Sequence, residues 1–249
     1  MDATAPQDQK NMCTVIKIVP ENQDIISLYL ETSDDKFRNR KAGQFASIRI
    51  MQGGEWSKPH PFTLAGAPEE PFLRLTIKKE GAFTSSIPQL KPGDTIKCMG
   101  PLGAFCKDID AKPSLVLIAG GVGITPFLSV LRHFRNIHAG NAVLLFWVNK
   151  SKDGNICEDE LKTLSQDLNL TVVHALSLDE NAPGYHDLGF PRIVYEQGRL
   201  NDEVFKRRGV TTDAAFYLCG PPPMMEATLA ALEKIGVPQE SVNREKFSY

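Results

Sequence analysis

LVLIAGGVGITPFLSVL, residues 115–131, reads as strand, glycine turn and helix in immediate succession. Leu115 to Ala119 form an unbroken apolar run, the pattern of a strand buried on both faces of a parallel sheet. Gly120, Gly121 and Gly123 follow, where a chain without Cβ atoms turns at positive φ and lets a ligand approach the backbone. Thr125 is placed to cap the next helix and Pro126 to open it. Phe127, Val130, Leu131 and Phe134 then recur on one helical face. Such a strand, turn and helix N-terminus presents backbone N–H groups to an anion such as a pyrophosphate. Pro126 stands where the dinucleotide fingerprint has its third glycine, and no Gly-Lys-Ser/Thr follows, so a P-loop is excluded.

The 249 residues suffice for two domains of ordinary size. A net charge of −2 with no basic block leaves nucleic acid without an electrostatic footprint. The longest apolar runs, such as Ala142 to Val148, fall far short of the roughly 20 residues that span a bilayer. MDATAPQDQK has no apolar signal core, and five scattered cysteines match no disulfide framework, zinc site or iron–sulfur spacing. A cytoplasmic setting, no membrane span and no metal site are expected.

Before residue 110 the texture is that of short strands. Thr14–Val19 and Ile25–Leu30 read as a hairpin, followed by strands over 43–50, 62–65, 73–78 and 95–99. They imply an antiparallel β-barrel of about six strands over residues 12–108, with a short helix near Thr84–Leu90. After Ala111-Lys112-Pro113 apolar strands (115–119, 142–148, 170–175, 216–219) alternate with helices near 126–137, 157–167, 202–208 and 222–235. That alternation specifies an α/β domain with a parallel sheet and helices on both faces. The expected division is therefore 1–110 and 111–249.

Three further motifs bear on chemistry. His60-Pro61-Phe62-Thr63 begins a barrel strand, where an imidazole, an aromatic ring and a hydroxyl could meet a phosphate, a flat ring and a ring nitrogen. Taken alone, the four residues fit an ordinary strand with a core Phe better. Gly81-Ala82-Phe83-Thr84-Ser85 sets a glycine and two hydroxyls at a helix start, as an anion site or a capped surface helix. Cys219-Gly220-Pro221-Pro222-Pro223-Met224 repeats the strand, glycine, helix design, with a thiol at the strand end that faces the crevice or is simply buried. The chain ends Glu245-Lys246-Phe247-Ser248-Tyr249, and two aromatics are unusual on a terminal tail.

In this order the motifs resemble the ferredoxin–NADP reductase superfamily over residues 12–249. The resemblance implies an FAD-binding barrel, FMN being the lesser alternative, joined to a nicotinamide-nucleotide domain. It implies that His60 meets the pyrophosphate, Phe62 stacks on the flavin and Thr63 sits near its N5. The usual motif is Arg-x-Tyr-Ser/Thr, and HPFT looks like the ferric reductase and NADPH oxidase branch. A mostly neutral imidazole holds phosphate less firmly than a guanidinium. Thr76, Ile77 and Lys78 match the strand flanking the flavin, and Gly81 to Ser85 match the diphosphate loop. Gly121, Gly123, Thr125 and Pro126 match the nicotinamide-nucleotide loop, with Cys219, Gly220 and Pro221 beside it. Glu245 and Phe247 match the terminal Glu-x-aromatic, in which Tyr249 is the rival stacking residue.

Thr63, Cys219 and Glu245 are accordingly the candidate catalytic residues. Ser177 begins the segment that senses the 2′ position, and Leu178, Asp179 and Glu180 after it favour NADH over NADPH, whereas Lys150 and Lys152 argue the other way. The implied function is an NAD(P)H-dependent flavin oxidoreductase. Its electrons would pass to a separate acceptor: an iron–sulfur or haem protein, a ferric chelate or free flavin. The competing reading is a flavin- or nucleotide-holding subunit of a larger complex with no turnover of its own.

Overall fold

A computed structural model describes residues 11–247. The first half is antiparallel: β1 Met12–Pro20, β2 Ile25–Glu31, β3 Phe45–Arg49, β6 His60–Thr63, β7 Leu73–Lys78 and β8 Thr95–Leu102 form one sheet ordered β6-β3-β8-β1-β2-β7. A small hairpin of β4 (Met51–Gln52) and β5 (Glu55–Trp56) lies outside it, turning on Gly53 and Gly54 at positive φ. The two edges of the sheet meet at a bridge between Leu64 and Leu75, so the expected barrel forms. Val15, Leu28, Leu30, Ile48, Leu75 and Ile96 fill its interior. The short helix starts two residues before the expected position, as α1 Ala82–Ser86, and continues as a 3-10 turn over Ile87–Gln89.

The second half is a parallel sheet ordered β12-β11-β10-β9-β13-β14. Its strands are β9 Ser114–Gly120, β10 Ala142–Asn149, β11 Leu170–Leu176, β12 Ile193–Gln197, β13 Ala215–Gly220 and β14 Val242–Lys246. The helices are α2 Thr125–Asn136, α3 Glu158–Asp167, α4 Asp202–Arg207 and α5 Pro222–Glu233. Alternation along β9 explains the layers. Leu115, Leu117 and Ala119 point into one core with Phe127 and Leu131 of α2 and Leu161 and Leu164 of α3. Val116 and Ile118 point the other way, against Val204 and Phe205 of α4 and Leu229 and Leu232 of α5.

Both edge strands, β12 and β14, escape the sequence pattern. Edge strands have one flank open to water and carry charges, as in Val242-Asn243-Arg244-Glu245-Lys246, and so lack an apolar run.

The glycine-rich turn is a 3-10 turn over Gly121–Ile124 that runs straight into α2. Only Gly121 of the three glycines has positive φ, at 53°. Thr125 is not the N-cap. It has helical φ and ψ, and its hydroxyl donates to the Val122 carbonyl at 3.0 Å. With the preceding turn already helical, no orphan N–H awaits the threonine oxygen. Pro126 lies in the first turn as expected.

The glycines serve a second purpose, close approach. A Cβ on Gly123 would collide with the Cys219 carbonyl, and one on Gly220 would lie 3.1 Å from the Gly120 backbone. The two glycine motifs are thus pressed backbone to backbone. Gly123→Ala should destabilise the protein by about 1–3 kcal/mol, the cost of overpacking against an unyielding main chain. A thermal melt with an unchanged midpoint would refute this.

Candidate functional site

A cavity of about 390 Å³ opens between the two halves, within the usual range for small-molecule sites. Barrel residues form one wall: Phe45, His60 to Thr63, Thr76 to Lys78 and Glu80 to Thr84. Val122, Thr125 and Glu245 to Phe247 form the other. Phe45, Glu80, Val122 and Lys246 are wall residues that motif reading did not single out. Phe45 reaches the wall because it pairs with Thr63 across β3 and β6, a neighbour that only the sheet register reveals.

The flavin-motif residues are brought together as expected. His60 stacks on Phe83 with ring centroids 3.7 Å apart and planes 18° from parallel, and Phe62 lies parallel to the same ring at 6.1 Å. Partial burial holds the His60 imidazole below its usual pKa, which favours the neutral ring. The Thr63 hydroxyl has no hydrogen-bond partner among the described residues and lines the cavity. Thr76 also reaches the wall, but its hydroxyl is committed to Ser27 at 2.9 Å. Thr84 is tied into its own turn, accepting from the Glu80 N–H at 2.6 Å. Gly81, at φ 86°, is open on its Cβ side, while Ser85 is exposed and away from the wall.

Of the nicotinamide-loop residues, Thr125 lines the cavity together with Val122, while Gly121, Gly123 and Pro126 lie beside it. Gly121 is fixed from the sheet side by the Trp147 indole, which donates to its carbonyl at 2.9 Å. Gly123, Gly220 and Pro221 form the packed backbone crossing. Ser177 follows β11, with its N–H on the Asn149 carbonyl at 2.9 Å. Cys219 is fully buried, so its thiol sits in the core beneath the cleft rather than on the crevice wall. Burial pushes that thiol upward, and the nearby Glu245 carboxylate pushes it in the same direction. It is a packing thiol, not a thiolate.

Glu245 owes its position to register: on β14 it pairs with Cys219 of β13. Burial pushes its carboxyl up to about 7. Phe247 lines the cavity while packing against the core of the sheet domain; Tyr249 lies outside the described residues.

Near the 2′-sensing segment, Asp179 accepts from the Lys152 and Asn181 N–H groups at 3.2 and 3.1 Å and from the Tyr185 hydroxyl. The Lys152 ammonium lies over the rings of Tyr185 and Tyr195, 4.9 and 5.2 Å from their centroids. No cluster of three or more metal-ligating side chains occurs among the described residues, and none of their helices is long and apolar enough to cross a membrane.

Parallel aromatic walls, a free hydroxyl and an open glycine turn suit a flat polar ring system with a phosphate tail, and so fit FAD. His60, Phe62, Thr63, Ile77 and Gly81 would hold it.

Fold and site together define a protein that joins an FAD-binding barrel to an NAD-binding α/β domain. Residues 10–93 match the family model "FAD-binding domain", and residues 117–230 match "Oxidoreductase NAD-binding domain". Together the two models span most of the chain, an FAD-binding domain followed by an oxidoreductase NAD-binding domain. It is 28% identical over 232 residues to the flavohemoprotein of Bacillus subtilis (strain 168), covering 91% of this chain and 56% of that protein. It is 31% identical over 239 residues to the propane 2-monooxygenase reductase component of Rhodococcus jostii (strain RHA1), covering 94% and 62%. The chain thus spans roughly three fifths of the length of these relatives. The flavohem-like FAD/NAD-binding domain of nitric oxide dioxygenase from Vibrio cholerae O1 biovar El Tor shares the fold. Its TM-score is 0.77 at 21% identity, with 95% of this chain and 98% of that one covered.

Because Glu245 has a pKa near 7 when folded against 4.5 ordinarily, the folded state binds more protons between those values. Stability therefore falls as pH rises through that window. Glu245→Gln should flatten this part of the pH profile in denaturant titrations; an unchanged slope would exclude the carboxyl as its source.

Proposed function

We propose that this chain takes a hydride from NADH onto FAD held in the interdomain cleft and delivers electrons to a separate acceptor. One observation carries the reading: Thr63 of the barrel, Val122 and Thr125 of the nucleotide loop, and Glu245 and Phe247 of the terminal strand all face one cavity. We place the domain boundary at residues 110/111 and the protein in the cytoplasm, in keeping with five unpaired cysteines.

Bound FAD supplies the conversion of a two-electron hydride into single electrons. The residues supply orientation and surroundings. The free Thr63 hydroxyl offers a hydrogen bond to the polar edge of the ring system. Phe247, on the cavity wall, would exclude water from the ring system, and an incoming nicotinamide would have to displace it. Glu245, poised near neutrality, steadies charge or moves a proton at its carboxyl oxygens. Cys219, Gly123 and Gly220 form the packed backbone crossing beside the cavity, against which a nicotinamide would be oriented.

NADH is the proposed donor. The Asp179 carboxylate is locked in its loop and repels a 2′-phosphate, while Lys152 is occupied by its two aromatic rings. The names of the relatives, a flavohemoprotein and a monooxygenase reductase component, support a haem or iron–sulfur acceptor over a ferric chelate or free flavin. A panel of such acceptors tests that order.

Titration of the FAD-loaded protein with NADH under anaerobic conditions should bleach its yellow colour, and NADPH should require a concentration about tenfold higher or more, a difference of about 1.4 kcal/mol. Colour without bleaching would contradict the reading and favour a non-catalytic subunit. Thr63→Ala should slow the bleaching by about tenfold, the rate equivalent of one hydrogen bond.

A further inference from the structure

The nucleotide loop and the flavin-motif strand belong to different domains, yet hydride transfer needs their relative position fixed to a fraction of an ångström. The seam between them supplies a device for this. Thr125, Ser129 and Arg132 lie on one face of α2, spaced by four and three residues. That face meets the barrel segment that continues from Thr63. Thr125 shares the cavity wall with Thr63. The Ser129 hydroxyl donates to the Gly66 carbonyl at 2.8 Å and accepts from the Gly43 N–H at 3.3 Å. Arg132 donates to the Ala65 carbonyl.

Both ends of this contact are stiff. On the α2 side, the Arg132 guanidinium grips Glu160 of α3 through two bonds of 2.6 and 2.7 Å. On the barrel side, the buried guanidinium of Arg40 donates to the carbonyls of Phe37, Ala67, Glu70 and Phe72, holding the loop that carries Ala65 and Gly66. Arg132 is itself 1% exposed. An apolar seam would bury the same area without the cost of desolvating a charge. Its contacts would also be non-directional, whereas a forked guanidinium specifies angle and register.

We propose that Arg132, assisted by Ser129, is a positioning residue that sets the register of the nucleotide loop against the flavin-motif strand. This rests on the hydride-transfer reading for its consequence, but the register itself is a property of the full chain without cofactor.

Arg132→Lys keeps the charge beside Glu160 but cannot bond that carboxylate as a fork and the Ala65 carbonyl together. Ser129→Ala removes the Gly66 bond alone, and serves should an Arg132 variant fail to fold. Hydrogen–deuterium exchange on the cofactor-free chain should show faster exchange in residues 63–67 and 121–129 of both variants, with the two sheet cores still protected. In the FAD-loaded protein, the limiting rate of anaerobic reduction should fall about 10–100-fold for Arg132→Lys, the scale of a small misplacement. The affinity for NADH should stay within about threefold, since every nucleotide contact remains, and a change of that size is under 1 kcal/mol.

A purely structural role would lower the melting temperature and leave the limiting rate intact. Unchanged exchange in those segments, or a limiting rate within about twofold of the parent protein in a folded variant, would overturn the proposal. Failure of the parent protein to be bleached by NADH would instead overturn the hydride-transfer reading, and the exchange experiment would still decide the register.

Discussion

Two strand ends touching through glycine set up the rest of this molecule. Gly120 and Gly123 lie against Cys219 and Gly220 so closely that a Cβ on Gly123 would strike the Cys219 carbonyl. This contact brings the N-termini of α2 and α5 together at the carboxyl ends of the parallel strands. From it β14 takes its place beside β13, and the pairing of Cys219 with Glu245 carries Glu245 and Phe247 to the cavity. A backbone crossing, more than any single reactive side chain, therefore shapes the cleft.

The seam between the halves obeys a different logic. Buried polar groups are costly unless satisfied, yet here Arg132, Ser129, Arg40 and Glu160 are joined in bonds that run from α3 through α2 into the barrel loop. Arg74 of β7 extends the chain of charges, 2.9 Å from Glu21 and 3.7 Å from Glu160. Such a network adds less stability than an apolar seam of equal size, but it admits one geometry. The cavity is lined from both halves, so a single geometry is what its chemistry needs.

Much of this was legible in the sequence. Leu115 to Ala119 announced a buried parallel strand, the Gly-Pro punctuation located α2 and α5, and the order of motifs assembled the cavity wall from His60 to Phe247. The misses share a cause, because they depend on tertiary surroundings. Val242 to Lys246 reads as a polar tail until β13 pairs with it. Arg132, flanked by Leu131 and His133, reads as a solvated helical charge until the barrel docks on it. Thr125 has the composition of a cap, but the preceding 3-10 turn had already supplied the helical geometry. Cys219 occupies the expected strand end, while its thiol faces the core, a choice that periodicity cannot make for the last residues of a strand buried on both faces.

The proposed function depends on a single cleft that would hold a flavin and receive a nicotinamide, with the barrel and the parallel sheet each supplying one wall. A crystal structure of the protein grown with FAD tests this most directly. The three-ring system should lie in the cavity bounded by Phe62, Thr63 and Phe247. Density for those rings in the separate groove between Arg38 and His133, or anywhere else away from Thr63, would contradict it.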